Sequence, residues 1–233
     1  MTKKEYLEKF KAIYQFVNVI SDKDDYAIYR FRNTKLNKDI ILRYYNKKIV
    51  AYDELRKIQC ENLPEIYDVI SLDDGIIVLE EFINGITVAD VMTSEKYRYS
   101  GAKKVVTAVC TALGVLHNRN LVHRDVKPEN IMITQDGRVV LIDFNASRKI
   151  SQSTKDTVVM GTVGYISPEQ LGVAQSDKRT DIYALGILLN VMLTGKHPSE
   201  YLAKGKAGRI IRKCTNLNPN ERYQTVEKLC SAL

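Results

Sequence analysis

Residues 121–133 read LVHRDVKPENIMI, with an aliphatic opening, a densely charged middle and an aliphatic close. The two ends have the apolar, strand-like character of buried edges. Between them stand His123, Arg124, Asp125, Lys127, Glu129 and Asn130. A surface turn between strands is often charged, but it accepts polar residues of any kind. Phosphoryl transfer instead needs particular ones at fixed offsets. The remainder of the chain has to decide between these readings.

The chain has 233 residues, 45% of them hydrophobic, enough to bury a substantial core in one two-lobed domain or two small ones. A formal net charge of +7 favours polyanionic partners in a general way. Lys and Arg are scattered, however, and no nucleic-acid motif accompanies them, so nucleic acid is not an expected partner. Cys60, Cys110, Cys214 and Cys230 lie far apart without a CxxC pair. That spacing weighs against a disulfide framework or a zinc site and suits a reducing cytosol. The opening MTKKEYLEKF is charged and amphipathic, without the apolar region of a signal peptide. The longest apolar runs, VVTAVCTALGVL and YALGILLNVML, are too short to span a bilayer. The expected location is cytoplasmic, including as the cytosolic domain of a longer membrane-anchored protein.

Residues 16–82 alternate short apolar segments with turns: YAIYRFR, DIILRYY, EIYDVIS and GIIVLEEF read as strands. DDG before Ile76 reads as a hairpin turn. Between the strands, KKIVAYDELRKIQ carries Ile49, Val50, Leu55 and Ile58 at helical spacing. Beyond residue 83 the pattern turns helical. Val105, Val106, Val109, Cys110, Leu113 and Leu116 form an apolar stripe on a long helix ending near His117. NIMIT and VVLIDF follow as paired strands joined by QDGR, then a long polar loop and three or four helices. The expected fold is α+β and bilobal, a small β-rich N-lobe with one helix over 1–82 and a larger helical C-lobe over 83–233. A cleft between two lobes is the default ligand site.

HRDVKPEN, residues 123–130, resembles the catalytic loop H-R-D-x-K-P-x-N of eukaryotic-type (Hanks-type) Ser/Thr protein kinases, and the similarity extends over nearly the whole chain. The resemblance implies an enzyme that transfers the γ-phosphate of ATP to Ser/Thr hydroxyls of a protein substrate, with Mg2+ as cofactor. It implies that Asp125 accepts the hydroxyl's proton or orients it, and that Lys127 neutralises charge on the transferring group. Asn130 is implied to hold metal, together with Asp143 of IDFN, which matches the Asp of D-F-G. GTVGYISPE resembles the close of an activation loop, with Thr162 at the position typical of Ser/Thr kinases. Glu169 is implied to pair with Arg222 of NPNERYQ, and Asp181 of RTDIYALG to hold the catalytic-loop backbone.

Nucleotide contact is implied for Ile20, Ile28, Ile41, Arg43, Glu54, Glu80, Phe82 and Met132. Arg124 is implied to read a phosphate on the polar loop, at Thr154 or Thr157, with Lys149 as a further cation. Self-association for autophosphorylation in trans goes with that role.

The first lobe departs from the family pattern. Ser21, Lys23 and Tyr26 stand where the glycine-rich loop has glycines, and Asp22, Asp24 and Asp25 add negative charge there. Glycines let backbone approach phosphate closely, so weak ATP affinity is expected. Arg43 replaces the lysine of V-A-I-K, with Glu54 as its expected partner, and a guanidinium fork does not place one point charge as lysine does. Asn145 replaces the glycine of D-F-G, and asparagine tolerates left-handed backbone. Two alternatives stand beside the kinase reading: a pseudokinase serving as a nucleotide-sensing or protein-binding module, and a small-molecule phosphotransferase of similar fold.

Overall fold

The alternating segments of residues 15–81 form one antiparallel sheet. A computed structural model describes residues 1–150, 161–171 and 175–233. The chain divides into two compact units, Met1–Gln59 with Pro64–Ile83, and Cys60–Leu63 with Asn84–Leu233. The first is β-rich and the second mostly helical, an α+β protein kinase-like fold.

The first unit runs α1 (Lys3–Lys11), β1 (Gln15–Asp22), β2 (Tyr26–Asn33), β3 (Lys38–Tyr45), α2 (Val50–Leu55), β4 (Ile66–Leu72) and β5 (Gly75–Glu81). Its five strands lie in the order β1-β2-β3-β5-β4. Asp73 and Asp74 form the two-residue loop of the β4–β5 hairpin, as DDG suggests. Directly paired residues share a sheet face. Ala27, Tyr29, Phe31, Ile40, Leu42, Tyr44 and Ile77 make one buried face, and α1 packs on it through Phe10. Phe10 stacks on Tyr14 at 4.3 Å and meets Phe31 edge-on at 4.9 Å. A reciprocal capping box between Thr2 and Glu5 starts α1.

The helix α2 is shorter than the apolar spacing suggests. It ends at Leu55, and Ile58 is buried from the irregular segment that follows.

The second unit runs β6 (Gly85–Thr87), α3 (Val88–Ser94), α4 (Tyr99–His117), β7 (Leu121–Val122), β8 (Ile131–Thr134), β9 (Val139–Leu141), β10 (Arg148–Lys149), α5 (Lys178–Thr194), α6 (Gly205–Cys214) and α7 (Val226–Ala232). The stripe on α4 is buried as expected, and α4 ends at His117. Strands β6, β8 and β9 form a small sheet that carries Asn130 and Asp143 at its ends. α5 is buried along most of its length.

Between α5 and α6 the chain is held by one buried amide. Asn190 Nδ2 donates to Lys196 O and Tyr201 O, both at 2.8 Å, and its Oδ1 accepts from Ala203 N at 2.9 Å. Gly208 completes this packing, because a Cβ there would stand 1.9 Å from Ala203 O. The chain between α5 and α6 is thus a stapled loop.

Candidate active site

One buried acid organises the charged stretch of residues 123–130. Asp181, in the first turn of α5, is fully buried. Its Oδ2 accepts from His117 Nε2 at 2.8 Å and from the His123 amide at 3.0 Å, and its Oδ1 accepts from the Arg124 amide at 2.8 Å. The clamp matters because Arg124 takes φ 71°, a left-handed conformation. Such strain costs of order 1–3 kcal/mol and persists only where surrounding contacts over-determine it. Gln170 Nε2 supplies a second hold, donating to Arg124 O at 3.0 Å.

His123 is fully buried, with its ring edge-on to Phe144 at 5.2 Å. The Asp125 amide donates to His123 Nδ1 at 3.3 Å, while Nε2 faces the Ile142 carbonyl at 3.3 Å. An amide can only donate and a carbonyl only accept, so the ring is the neutral Nε2-H tautomer. Burial agrees, pushing its pKa below the usual value against the pull of Asp181, Asp125 and Asp143.

Above this frame, Asp125 gathers three side chains. Thr162 Oγ1 donates to its Oδ1 at 2.7 Å, and Lys127 Nζ lies 2.9 Å from its Oδ2. Asn130 Nδ2 donates to both the Asp125 carbonyl and Oδ2 at 2.9 Å. Lys127 Nζ also donates to Thr162 Oγ1 at 2.6 Å, closing a triangle. Burial raises the Asp125 pKa, but the bonds from Thr162 and Lys127 outweigh it and hold the carboxyl below its ordinary range. Asp125 is therefore ionised at neutral pH.

The oxygens beside it suit a hard divalent cation. Asn130 spends its NH2 on Asp125, and among the described residues its Oδ1 takes no hydrogen bond. The Ile142 amide donates to the Asn130 carbonyl at 2.9 Å, which sets Asn130 next to the residue preceding Asp143. Asn145 Oδ1 is buried without a hydrogen-bond partner. All-oxygen donors of this kind match magnesium chemistry. The left-handed residue of this turn is Asp143, at φ 65°, and not Asn145. Asn145 instead donates its amide to Asp143 Oδ1 at 3.3 Å, so the acid takes the strained position and the asparagine does not need it.

In the first unit, strand register puts Ile28, Ile41, Arg43 and Glu80 on the sheet face opposite α1. Ile41, Arg43 and Glu80 are all buried. Arg43 Nε donates to Glu80 Oε1 at 2.5 Å, a partner that sequence reasoning did not assign. Cross-strand register is the signal that finds it. Glu54 sits half-buried on α2 with Lys57 at 3.7 Å. Arg30 is paired with Asp39 and stacks over Phe82 at 4.0 Å. Ile20 is exposed near a β-bulge of β1, and the β1–β2 hairpin closes at Asp24 and Asp25, both exposed. In the second unit, Met132 pairs with Val140 and Thr87.

Glu169 and Arg222 form a bidentate pair, Nη1 to Oε1 at 2.7 Å and Nη2 to Oε2 at 2.9 Å, with Thr180 Oγ1 adding a bond at 3.0 Å. Burial of the Arg124 guanidinium lowers its pKa, and the nearby charge of Arg148 lowers it further. Arg148 is a cation that sequence reasoning passed over; it reaches this position through the β10–β7 pairing. Thr154 and Thr157 lie outside the described residues.

The sequence profile of the protein kinase domain matches residues 13–232. Serine/threonine-protein kinase D of Synechocystis sp. is 28% identical over 227 residues, covering 86% of this chain and 44% of that protein. Serine/threonine-protein kinase PrkC of Bacillus subtilis is 30% identical, covering 93% of this chain and 37% of its own length. Serine/threonine-protein kinase PAK 4 of Homo sapiens is 30% identical over 84% of this chain and 33% of that protein. The chain thus spans less than half the length of these relatives. Among the described residues, no helix is long and apolar enough to cross a membrane.

Proposed function

The chain belongs to the protein kinase domain family, and from that membership we propose that it is an ATP-dependent Ser/Thr protein kinase. The observation that carries this reading is the Asp125–Thr162–Lys127 triangle. An ionised Asp125 is a ready acceptor for the proton of a substrate hydroxyl. Thr162 holds one of its oxygens in place, and Lys127 supplies positive charge where the phosphoryl group moves. Asn130 and Asp143 are the residues that would hold magnesium, which when bound offsets the negative charge of the nucleotide phosphates. Ile20, Ile28, Ile41, Arg43, Glu54, Glu80, Phe82 and Met132 are the proposed nucleotide contacts. Incubation with magnesium ATP and a protein substrate tests the proposal, by comparing label transfer in this chain and in Asp125→Asn. Equal transfer in the two would overturn it.

The acidic hairpin favours a second reading, a module that senses nucleotide without turning it over. Asp24 and Asp25 stand at the tip in place of a glycine-rich turn. A charge at about 4 Å in water is worth ~1 kcal/mol, or roughly fivefold in affinity. The double variant Asp24→Asn/Asp25→Asn should therefore tighten ATP binding by roughly fivefold or more, read by calorimetric titration. An unchanged affinity would show that the tip does not face phosphate.

Regulation follows from Arg124 and Arg148. Two like charges held together form a receptor for a doubly charged phosphate, which creates about one to three charge-assisted hydrogen bonds. The proposed acceptors are phosphates on Thr154 or Thr157, added in trans by a second copy. Mass spectrometry after incubation with ATP should find phosphate between residues 151 and 160. Its absence from a chain that labels an added substrate would rule out activation by this route.

A further inference from the structure

The helices α4 and α7 run antiparallel in close contact, and three successive contacts fix their register. A Cβ on Gly114 would lie 3.3 Å from Glu227 Oε1 and 3.5 Å from Val226 Cγ2, so the absent side chain lets α7 come close. At the far end Tyr99 Oη donates to Leu233 O at 2.9 Å. Between these points, one turn back from Gly114 is Cys110 and one turn on from Val226 is Cys230. In that antiparallel register Cys110 stands opposite Cys230, near enough for each thiol to act on the other's titration, with Thr107 acting on Cys230 as well.

We propose that Cys110 and Cys230 are a redox-active dithiol, which a peroxide converts into a reversible disulfide joining α4 to α7. A disulfide requires Cα atoms within about 4.4–6.8 Å, and the distance between packed helices depends on the size of the side chains at the contact. Gly114, one turn away, lets the two helices come close.

The two thiols are differentiated for sequential roles. Cys230 is half-exposed and Cys110 buried. The neighbouring Cys110 thiol draws the Cys230 pKa down to about 6; burial opposes it, Thr107 and Lys103 assist, and Glu227 opposes. A thiolate at neutral pH is the species that attacks peroxide. Cys110 is held protonated by the same contact and by burial. Cys214, the third cysteine of this unit's helical core, is pushed up to about 12 by burial and stays a protonated bystander.

In the first step the Cys230 thiolate attacks one peroxide oxygen. The O–O bond breaks, Cys230 becomes a sulfenic acid, and the departing hydroxide is protonated to water. In the second, the Cys110 sulfur attacks the Cys230 sulfur. The S–O bond breaks, and the Cys110 proton leaves with the hydroxide as a second water. Two thiols have lost two electrons and one peroxide has gained them. A dithiol reductant reverses the change. The crosslink ties α7 to the helix whose last residue, His117, holds Asp181 in place.

The test is hydrogen peroxide added to the folded full chain, followed by alkylation in denaturant and peptide mapping without reductant. The expected product is a single Cys110–Cys230 linked peptide pair within one chain, lighter by two hydrogens. Two of the four cysteines should escape alkylation, and dithiothreitol should restore them. Cys230→Ser replaces a half-exposed group with its isostere and should abolish the link, while Cys214→Ala and Cys60→Ser should retain it. A link to Cys214, a link between chains, no link, or over-oxidised Cys230 beside alkylated Cys110 would each overturn the assignment.

Discussion

Asp125→Asn should lower phosphoryl transfer by roughly 10²–10⁴-fold, the range that a positioned proton acceptor contributes. Nucleotide affinity should stay near that of the unaltered chain. The asparagine keeps the shape, its one side-chain oxygen can still accept from Thr162, and Asn130 still donates to the backbone carbonyl of residue 125, so the loop of residues 123–130 keeps its frame on Asp181. What disappears is the charge that receives the proton. Asp143→Asn should act differently, removing a carboxylate proposed to hold metal and thereby weakening binding of nucleotide in the presence of magnesium. Turnover and magnesium-dependent titration, measured on both variants, separate the two roles. Near-normal turnover in Asp125→Asn would remove Asp125 from the chemistry, whatever the behaviour of Asp143→Asn.

Arg222→Ala should destabilise the helical unit by roughly 3–5 kcal/mol, because it strands a buried carboxylate. The whole stability of a domain is about 5–15 kcal/mol, so this single change takes a large share. Burial raises the Glu169 pKa, but the bonds from Arg222 dominate and the folded-state value lies below the ordinary one. A depressed acid stabilises the folded chain above its unfolded pKa, about 4.3 for glutamate. That contribution fades as pH falls through the lower folded value. Denaturant unfolding from neutral to acid pH should therefore show a drop in the unaltered chain that is flatter in Arg222→Ala. Equal unfolding midpoints at neutral pH would mean that the pair adds nothing to stability.

The charged loop of residues 123–130, most of the strand pattern, the hold of Asp181 on that loop and the Glu169–Arg222 pair were legible in the sequence. Each is carried by a local motif or by residue order along the chain. What stayed hidden depends on tertiary placement. In α1 only Phe10 is buried, so its helical signal is weak, and packing on the sheet through Phe10, Tyr6 and Leu7 stabilises it. The amphipathic opening and the capping box Thr2–Glu5 were the available cues. Apolar spacing predicted a longer α2 because Ile58 is buried, yet a residue can be buried without being helical. The Arg43–Glu80 pair joins residues on different strands, and only register brings them together. Asn190 gave no signal at all, since a buried amide that staples a loop looks like any helix polar residue. Arg148 is similar, because its nearness to Arg124 comes from the two-residue pairing of β10 with β7.

The most direct measurement of the central claim is phosphoamino-acid identification after the purified chain is incubated with γ-labelled ATP, magnesium and a peptide carrying Ser, Thr and Tyr. The account predicts label on phosphoserine and phosphothreonine, dependent on magnesium and lost in Asp125→Asn. Nucleotide binding with no label transferred, under conditions that saturate the chain with magnesium ATP, would contradict it and make the fold a nucleotide-binding module.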